Sequence, residues 1–226
     1  AESQGINYFD LYASDPKVRA SVGEALRGRR EKFMIQSHVC SVWKDGQYKR
    51  TRNIDEVKAG MEEMLSLLQT DYIDVGMIHY VDSVKDWHTV ADGPVLAYVK
   101  ELKEKGVIRH IGLRSPNPEV ALEAVKSGDI EVLMFSVNPC YDLQPASEDV
   151  EELWAEKNYK EHLINMNPER QELYETCQRL DIGITVMKAF GGGDLLDEKL
   201  SPAGKALTVN QCIHYALTRP GVSTVL

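Results

Sequence analysis

The 226-residue chain has no apolar run approaching the roughly 18 to 20 residues that a membrane-spanning helix requires, which excludes a helical membrane anchor within it. Its start, Ala1-Glu2-Ser3-Gln4, lacks both the basic region and the apolar stretch of a signal peptide. Cysteine is scarce: Cys40, Cys140, Cys177 and Cys212 lie far apart with no C-x-x-C, against a zinc ribbon or a disulfide scaffold, and a reduced cytoplasmic setting is expected. Positive charge is in deficit, with 26 Lys and Arg against 35 Asp and Glu for a net charge of −9. Nucleic acid and anionic membrane surfaces would be repelled, so neither is an expected partner. No internal repeat, low-complexity linker or G-x-G-x-x-G after the first strand is present.

What the chain does have is alternation. Ile6–Asp10, Phe33–Gln36, Tyr72–Ile78, Val107–Leu113, Glu131–Val137, Ile182–Met187 and Val222–Leu226 are short and near-continuously apolar, as strands covered on both faces are. Helical segments separate them. Asn53 precedes Glu56 in capping-box fashion, and Val57, Met61, Met64, Leu65 and Leu68 form one stripe. Pro94 opens a helix that stops at Gly106, Asn117-Pro118 opens another, and Thr208 with Gln211 makes a further capping pair. Repeated βα units build either an open sheet or a closed barrel.

Six of the runs end in residues able to do chemistry: Asp10 (with Tyr12 two positions on), His38, His79, Arg114-Ser115, Asn138 and Lys188. A barrel gathers all strand ends at one mouth, where active sites are built, whereas an open sheet spreads them along an edge. The expected fold is therefore α/β, a (β/α)8 TIM barrel, incomplete here with about seven strands. A single domain over 1–226 is expected, with an insertion at about 139–168 that holds Glu148, Asp149, Glu151, Glu152 and Trp154.

Gly5-Ile6-Asn7-Tyr8-Phe9-Asp10, Asp71-Tyr72-Ile73-Asp74 leading to Ile78-His79, Lys105-Gly106-Val107-Ile108-Arg109 with Ile111-Gly112-Leu113, and Gly183-Ile184-Thr185-Val186-Met187-Lys188 resemble the aldo/keto reductases, in order from Gly5 to Leu226. Met187-Lys188 and His214-Tyr215-Ala216-Leu217 look most like bacterial members with a C-terminal iron–sulphur domain, whose 4Fe-4S cysteines are outside this chain. The resemblance implies NADPH- or NADH-dependent reduction of a small carbonyl compound, with a Tyr, aided by Lys, His and Asp, supplying the proton. Position by position, Asp10 matches the family Asp and His79 the family His. The Tyr position is held by Asp15 and the Lys position by His38. The family's Ser-Asn pair corresponds to Arg114-Ser115, and its carboxamide-binding Gln falls on Met134.

Ser14-Asp15-Pro16 reads as a helix start rather than a replacement acid, because an ordinary aspartate, with a pKa of about 3.9, holds no proton at neutral pH. Two readings of Tyr12 stay open. Either it joins Asp10 at the mouth in a Tyr12–His38–His79–Asp10 catalytic cluster, or it packs under the insertion. His38 could serve that cluster as a protonated neighbour or be the proton donor itself. Arg114 and Lys188, with Ser115 and Asn138, are the expected cofactor contacts. Cations at strand ends of an acidic chain favour an anionic cofactor or substrate, unless Arg114 pairs locally and Lys188 reaches solvent. Trp43, Trp87 and Phe190, expected in loops after strands two, three and six, are either an aromatic wall or local packing. Lys44–Arg52 is expected to be a solvated loop face. His88, His110, His162 and His214 have no acidic or cysteine neighbours at ligand spacing, so no metal site is expected. Two functions follow: a nicotinamide-dependent oxidoreductase with an altered catalytic set, or a barrel that binds a ligand or passes electrons as partner of an iron–sulphur module.

Overall fold

The computed structural model describes residues 2–144, 147 and 165–226. The chain divides into two compact units, Ala1–Tyr80 with Lys85–Leu113 and Val81–Val84 with Arg114–Leu226.

In the first unit, strand β1 (Tyr8–Leu11) leads to helix α1 (Pro16–Leu26), which starts as its sequence dictates: the Asp15 side chain accepts the Lys17 N–H at 2.8 Å and Pro16 takes the first turn. Strand β2 (Met34–Val39) follows, then an antiparallel hairpin of β3 (Ser41–Lys44) and β4 (Gln47–Arg50). This hairpin replaces the solvated loop expected over Lys44–Arg52. Its turn is Asp45-Gly46, both with positive φ (53° and 77°), the backbone a two-residue hairpin requires. Helix α2 (Ile54–Leu68) is capped by Asn53, which accepts the Asp55 and Glu56 N–H groups, and buries Val57, Met61, Met64 and Leu68. Strand β5 (Ile73–Ile78), helices α3 (Val84–Ala91) and α4 (Pro94–Glu104) and strand β6 (Ile108–Arg114) complete the series. Trp87, expected in a loop, lies on α3 with 2% of its surface exposed, because the α3 face bearing Trp87 and Val90 is the buried one.

Strands β1, β2, β5 and β6 pair in that order, all parallel. The starts of β2, β5 and β6 are tied by Asp74, whose buried carboxylate accepts the Ile35 N–H (2.9 Å), Arg30 Nη2 (2.8 Å) and Arg109 Nη1 (2.8 Å). Both guanidiniums also stack on the Tyr72 ring, 4.3 and 4.1 Å from its centroid. A buried carboxylate is tolerable only with such a complement of donors.

The second unit continues the alternation with α5 (Pro118–Lys126), β7 (Val132–Ser136), α6 (Pro168–Arg179), β8 (Gly183–Met187), α7 (Val209–Leu217) and β9 (Val222–Val225). Strands β7, β8 and β9 are parallel neighbours in that order. Asn117 and Asn167 cap α5 and α6, and Thr208 with Gln211 forms the full capping box of α7. Buried Asp142 accepts the hydroxyls of Tyr174 (2.6 Å) and Tyr215 (2.8 Å) beside the Arg170 guanidinium. Among the described residues, seven parallel strands alternating with helices are the α/β order expected of an incomplete (β/α)8 barrel. Most of the expected insertion, residues 145–146 and 148–164, lies outside the described residues. Among the described residues no helix is long and apolar enough to cross a membrane.

Candidate active site

Strand register assembles the site of the first unit. Asp10 is level with Gln36, and His38 with Met77. Side chains two apart on a strand share a face, so Tyr8 and Asp10, Gln36 and His38, and Met77 and His79 all project to one side. His79 follows the end of β5, but its N–H still bonds the Val39 carbonyl at 3.0 Å and prolongs the ladder by one residue. The opposite face belongs to α2, where the Ser37 hydroxyl meets the Met64 sulphur at 2.7 Å.

The result is a chain of hydrogen bonds, part-buried at Tyr8 and Asp10 and buried at the two histidines. Tyr8 donates its hydroxyl to Gln36 Oε1 (2.8 Å), and Gln36 Nε2 donates to Asp10 Oδ1 (2.7 Å). His38 Nε2 meets the same carboxylate oxygen at 2.9 Å, and His38 Nδ1 lies 2.6 Å from Nδ1 of His79. The two imidazoles are edge-on, with centroids 4.7 Å apart, and are 1% and 5% exposed. Burial, with the charges of Asp10 and Asp74, pushes the Tyr8 phenol well up from its usual value, so it remains a donor.

Proton positions follow from what each group can do. An ionised carboxylate only accepts, so His38 Nε2 carries a hydrogen. In a neutral His38 ring Nδ1 is then an acceptor, and the hydrogen between the rings belongs to His79 Nδ1. His79 Nε2 is then an acceptor when the pair is neutral and a donor when the pair holds one more proton.

The structure thus brings together three of the four expected catalytic residues, Asp10, His38 and His79. Tyr12 lies beyond the end of β1, 66% exposed, and has no hydrogen bond among the described residues. Sequence reasoning missed Tyr8 and Gln36, although each stands two residues before a recognised site residue and strand alternation points to both. It also missed Tyr48, whose ring packs edge-on against His79 (5.5 Å, 71°), and Arg52, which no local pattern marked. Arg52 is 17% exposed at its side chain rather than solvated, because Asp86 and two backbone carbonyls hold it inward.

The four expected cofactor contacts all belong to the second unit. Arg114 ends β6 half-buried, and Lys188 stands exposed just after β8 with a left-handed backbone (φ 62°). Ser115 is fully buried; its N–H bonds the Met134 carbonyl (3.3 Å) and its hydroxyl accepts the Asn117 N–H (3.2 Å). Asn138 Oδ1 accepts the Cys140 and Tyr141 N–H groups, while Nδ2 donates to the Lys188 carbonyl at 2.9 Å. Phe190 packs locally against Cys140, Leu195 and Cys212. Among the described residues no three His, Cys, Asp or Glu side chains are grouped to hold a metal ion. His88, read as lacking an acidic neighbour, has Asp92 one helical turn on at 4.0 Å.

Residues 1–225 match the aldo/keto reductase family. The chain is similar to the uncharacterized oxidoreductase YqkF of Bacillus subtilis (strain 168), 28% identical over 237 residues that cover 98% of this chain and 73% of that protein. Its fold is similar to the holo form of the aldo-keto reductase AKR11C1 from Bacillus halodurans, with a TM-score of 0.73 at 22% identity over 99% of this chain and 72% of that one. It is also similar to an aldo-keto reductase from Klebsiella pneumoniae in complex with NADPH, with a TM-score of 0.61 at 13% identity over 99% and 70%. The family match runs through both units, and the seven parallel strands are those of its (β/α)8 fold: this chain belongs to the aldo/keto reductases, a family of oxidoreductases.

Proposed function

We propose that the protein reduces a small carbonyl compound with NADPH or NADH, and that its proton comes from the Asp10–His38–His79 chain rather than from a tyrosine and lysine. The carrying observation is the unbroken sequence of bonds from Asp10 Oδ1 through both rings of His38 and His79. At the family's Tyr position, Asp15 is committed to capping α1. At its Lys position, His38 is the middle link of that chain.

A guanidinium and an ammonium at strand ends have the donor chemistry for an anionic dinucleotide, so Arg114 and Lys188 are proposed to hold it. Asn138 has one amide N–H beyond its bond to Lys188, and Ser115 and Asn138 are proposed mainly to shape those two strand ends. When bound, a reduced nicotinamide supplies the hydride. The chain's own part is the proton. His79 Nε2 gives its hydrogen to the oxygen that gains charge, and Asp10 stabilises the positive charge on the histidine pair until then. Tyr12, exposed just past β1, is proposed as a substrate contact, and the cations favour substrates that bear a carboxylate. The activity is read as that of one barrel domain over 1–226, in the cytoplasm, within a subfamily whose members carry a C-terminal iron–sulphur domain. The departed Tyr and Lys positions favour a second reading, a barrel that binds ligand or passes electrons to that module without reducing carbonyls.

Titration with NADPH and NADH by fluorescence, followed by turnover of small aldehydes and 2-oxo acids, separates the two. The expected result is turnover that His79→Gln and His38→Asn each lower by roughly a hundredfold or more, the usual contribution of a general acid. Turnover within twofold of the original in both variants would remove the relay, and binding without any turnover would favour the second reading.

A further inference from the structure

We infer that Arg52 is a positioning residue that holds the His79 imidazole in line with His38. The role rests on the reading of His79 as proton donor; the geometry does not. Both sides of the His79 backbone are fixed. Its N–H goes to the Val39 carbonyl at 3.0 Å, and its carbonyl accepts Arg52 Nη1 at 2.9 Å. The next residue, Tyr80, is left-handed with φ 53°, a conformation that is strained for a bulky side chain and persists only where its surroundings impose it. Here the imposition is visible: the Tyr80 carbonyl accepts from Arg52 Nη2 and from Arg50 Nη1, each at 3.0 Å.

Arg52 is itself held. Its Nε and Nη2 grip the two oxygens of Asp86 at 3.1 and 2.6 Å, a bidentate pair that fixes the guanidinium plane. One residue earlier, the Thr51 N–H bonds the Cys40 carbonyl at 3.0 Å, tying the end of the β3–β4 hairpin back to the end of β2. The fork therefore spans a carboxylate on α3 and two consecutive carbonyls at the end of β5. A lysine, with one point of charge, cannot span all three. Without the clamp the 79–80 peptide is free to relax, and the Cα–Cβ direction of His79 turns with it. A 2.6 Å contact between ring nitrogens tolerates little of that, since hydrogen bonds weaken steeply once the donor angle falls below about 120°.

The test compares Arg52→Ala and Arg52→Lys with the original protein in three measurements. Histidine-selective 15N labelling follows the imidazole resonances of His38 and His79 with no substrate or cofactor present, steady-state kinetics separates kcat from KM, and ethylguanidinium is added to Arg52→Ala. The expected result is loss of the downfield proton signal shared by the two rings and a fall in kcat of about tenfold or more at unchanged cofactor KM. Partial recovery of both with ethylguanidinium is expected, with Arg52→Lys intermediate. Imidazole resonances of Arg52→Ala that match the original overturn the inference, whatever its melting temperature. Should Arg52→Ala not fold, Asp86→Asn loosens the same fork; a weaker shared-proton signal supports the inference and an unchanged one overturns it. Because the resonances are read without turnover, failure of the clamp and failure of the carbonyl-reductase reading are separate outcomes.

Discussion

The His38–His79 contact shows what a single substitution of side-chain type does at a strand end. An ammonium at position 38 would be a fixed donor. An imidazole can accept on one nitrogen while donating on the other, which lets a carboxylate at Asp10 act on a ring two bonds away. Tyr12 stands outside that chain. Tyr12→Phe is therefore expected to raise the substrate KM while kcat stays within about twofold, as for an interaction made equally in ground and transition states. Steady-state kinetics reads this directly, and a large fall in kcat would put the phenol in the proton path. Individual identities were partly legible. Asp10, His38 and His79 stand where apolar runs end, and Asp15-Pro16 is a helix start in any context. Tyr8 was hidden inside its run and Gln36 was counted as the last residue of its own, where a polar side chain reads as part of the strand rather than as a partner.

Among the elements, the β3–β4 hairpin is the one whose role depends most on its attachments. It docks on α2 through Glu56, whose carboxylate accepts Lys49 Nζ (2.7 Å) and the Thr51 hydroxyl (2.6 Å). The Lys49 contact first, then Thr51, lowers the Glu56 carboxyl from 4.5 to about 2. A depressed carboxyl stabilises the fold above its unfolded value and ceases to do so as pH falls through the folded one. The Glu56 contribution is thus complete above about pH 4.5 and lost towards pH 2. Melting curves across that window should show Glu56→Gln less stable than the original protein at pH 6, with the gap closing as the pH drops. A gap that does not close would detach the effect from Glu56 ionisation. The helices were legible because caps and apolar stripes are local, as Asn53, Asn117 and Thr208 attest. The hairpin was not, because two four-residue strands around Asp45-Gly46 have too little alternation to stand out from charged residues on every side.

For the molecule as a whole, net charge and local charge pull in opposite directions. A charge of −9 repels a dinucleotide at long range, whereas Arg114 and Lys188 would attract it at contact. Salt screens exposed charges beyond about 10 Å at 0.1 M, so it weakens the long-range repulsion most. If the two cations hold the cofactor, raising NaCl from about 0.02 to 0.5 M lowers NADPH affinity; a rise in affinity would mean that the overall field dominates. Calorimetric titration at several salt concentrations decides between them. The sequence by itself determined the alternation of strands and helices, the helix starts, the polar strand ends and the family, because each depends on residues near one another along the chain. Only the tertiary structure decided which strand ends meet. The bond between His38 and His79 joins residues 41 apart and exists because β2 and β5 pair in one register. The hold on His79 likewise depends on Arg52 and Asp86, 34 residues apart, which become neighbours only once the segment after the hairpin and helix α3 have met.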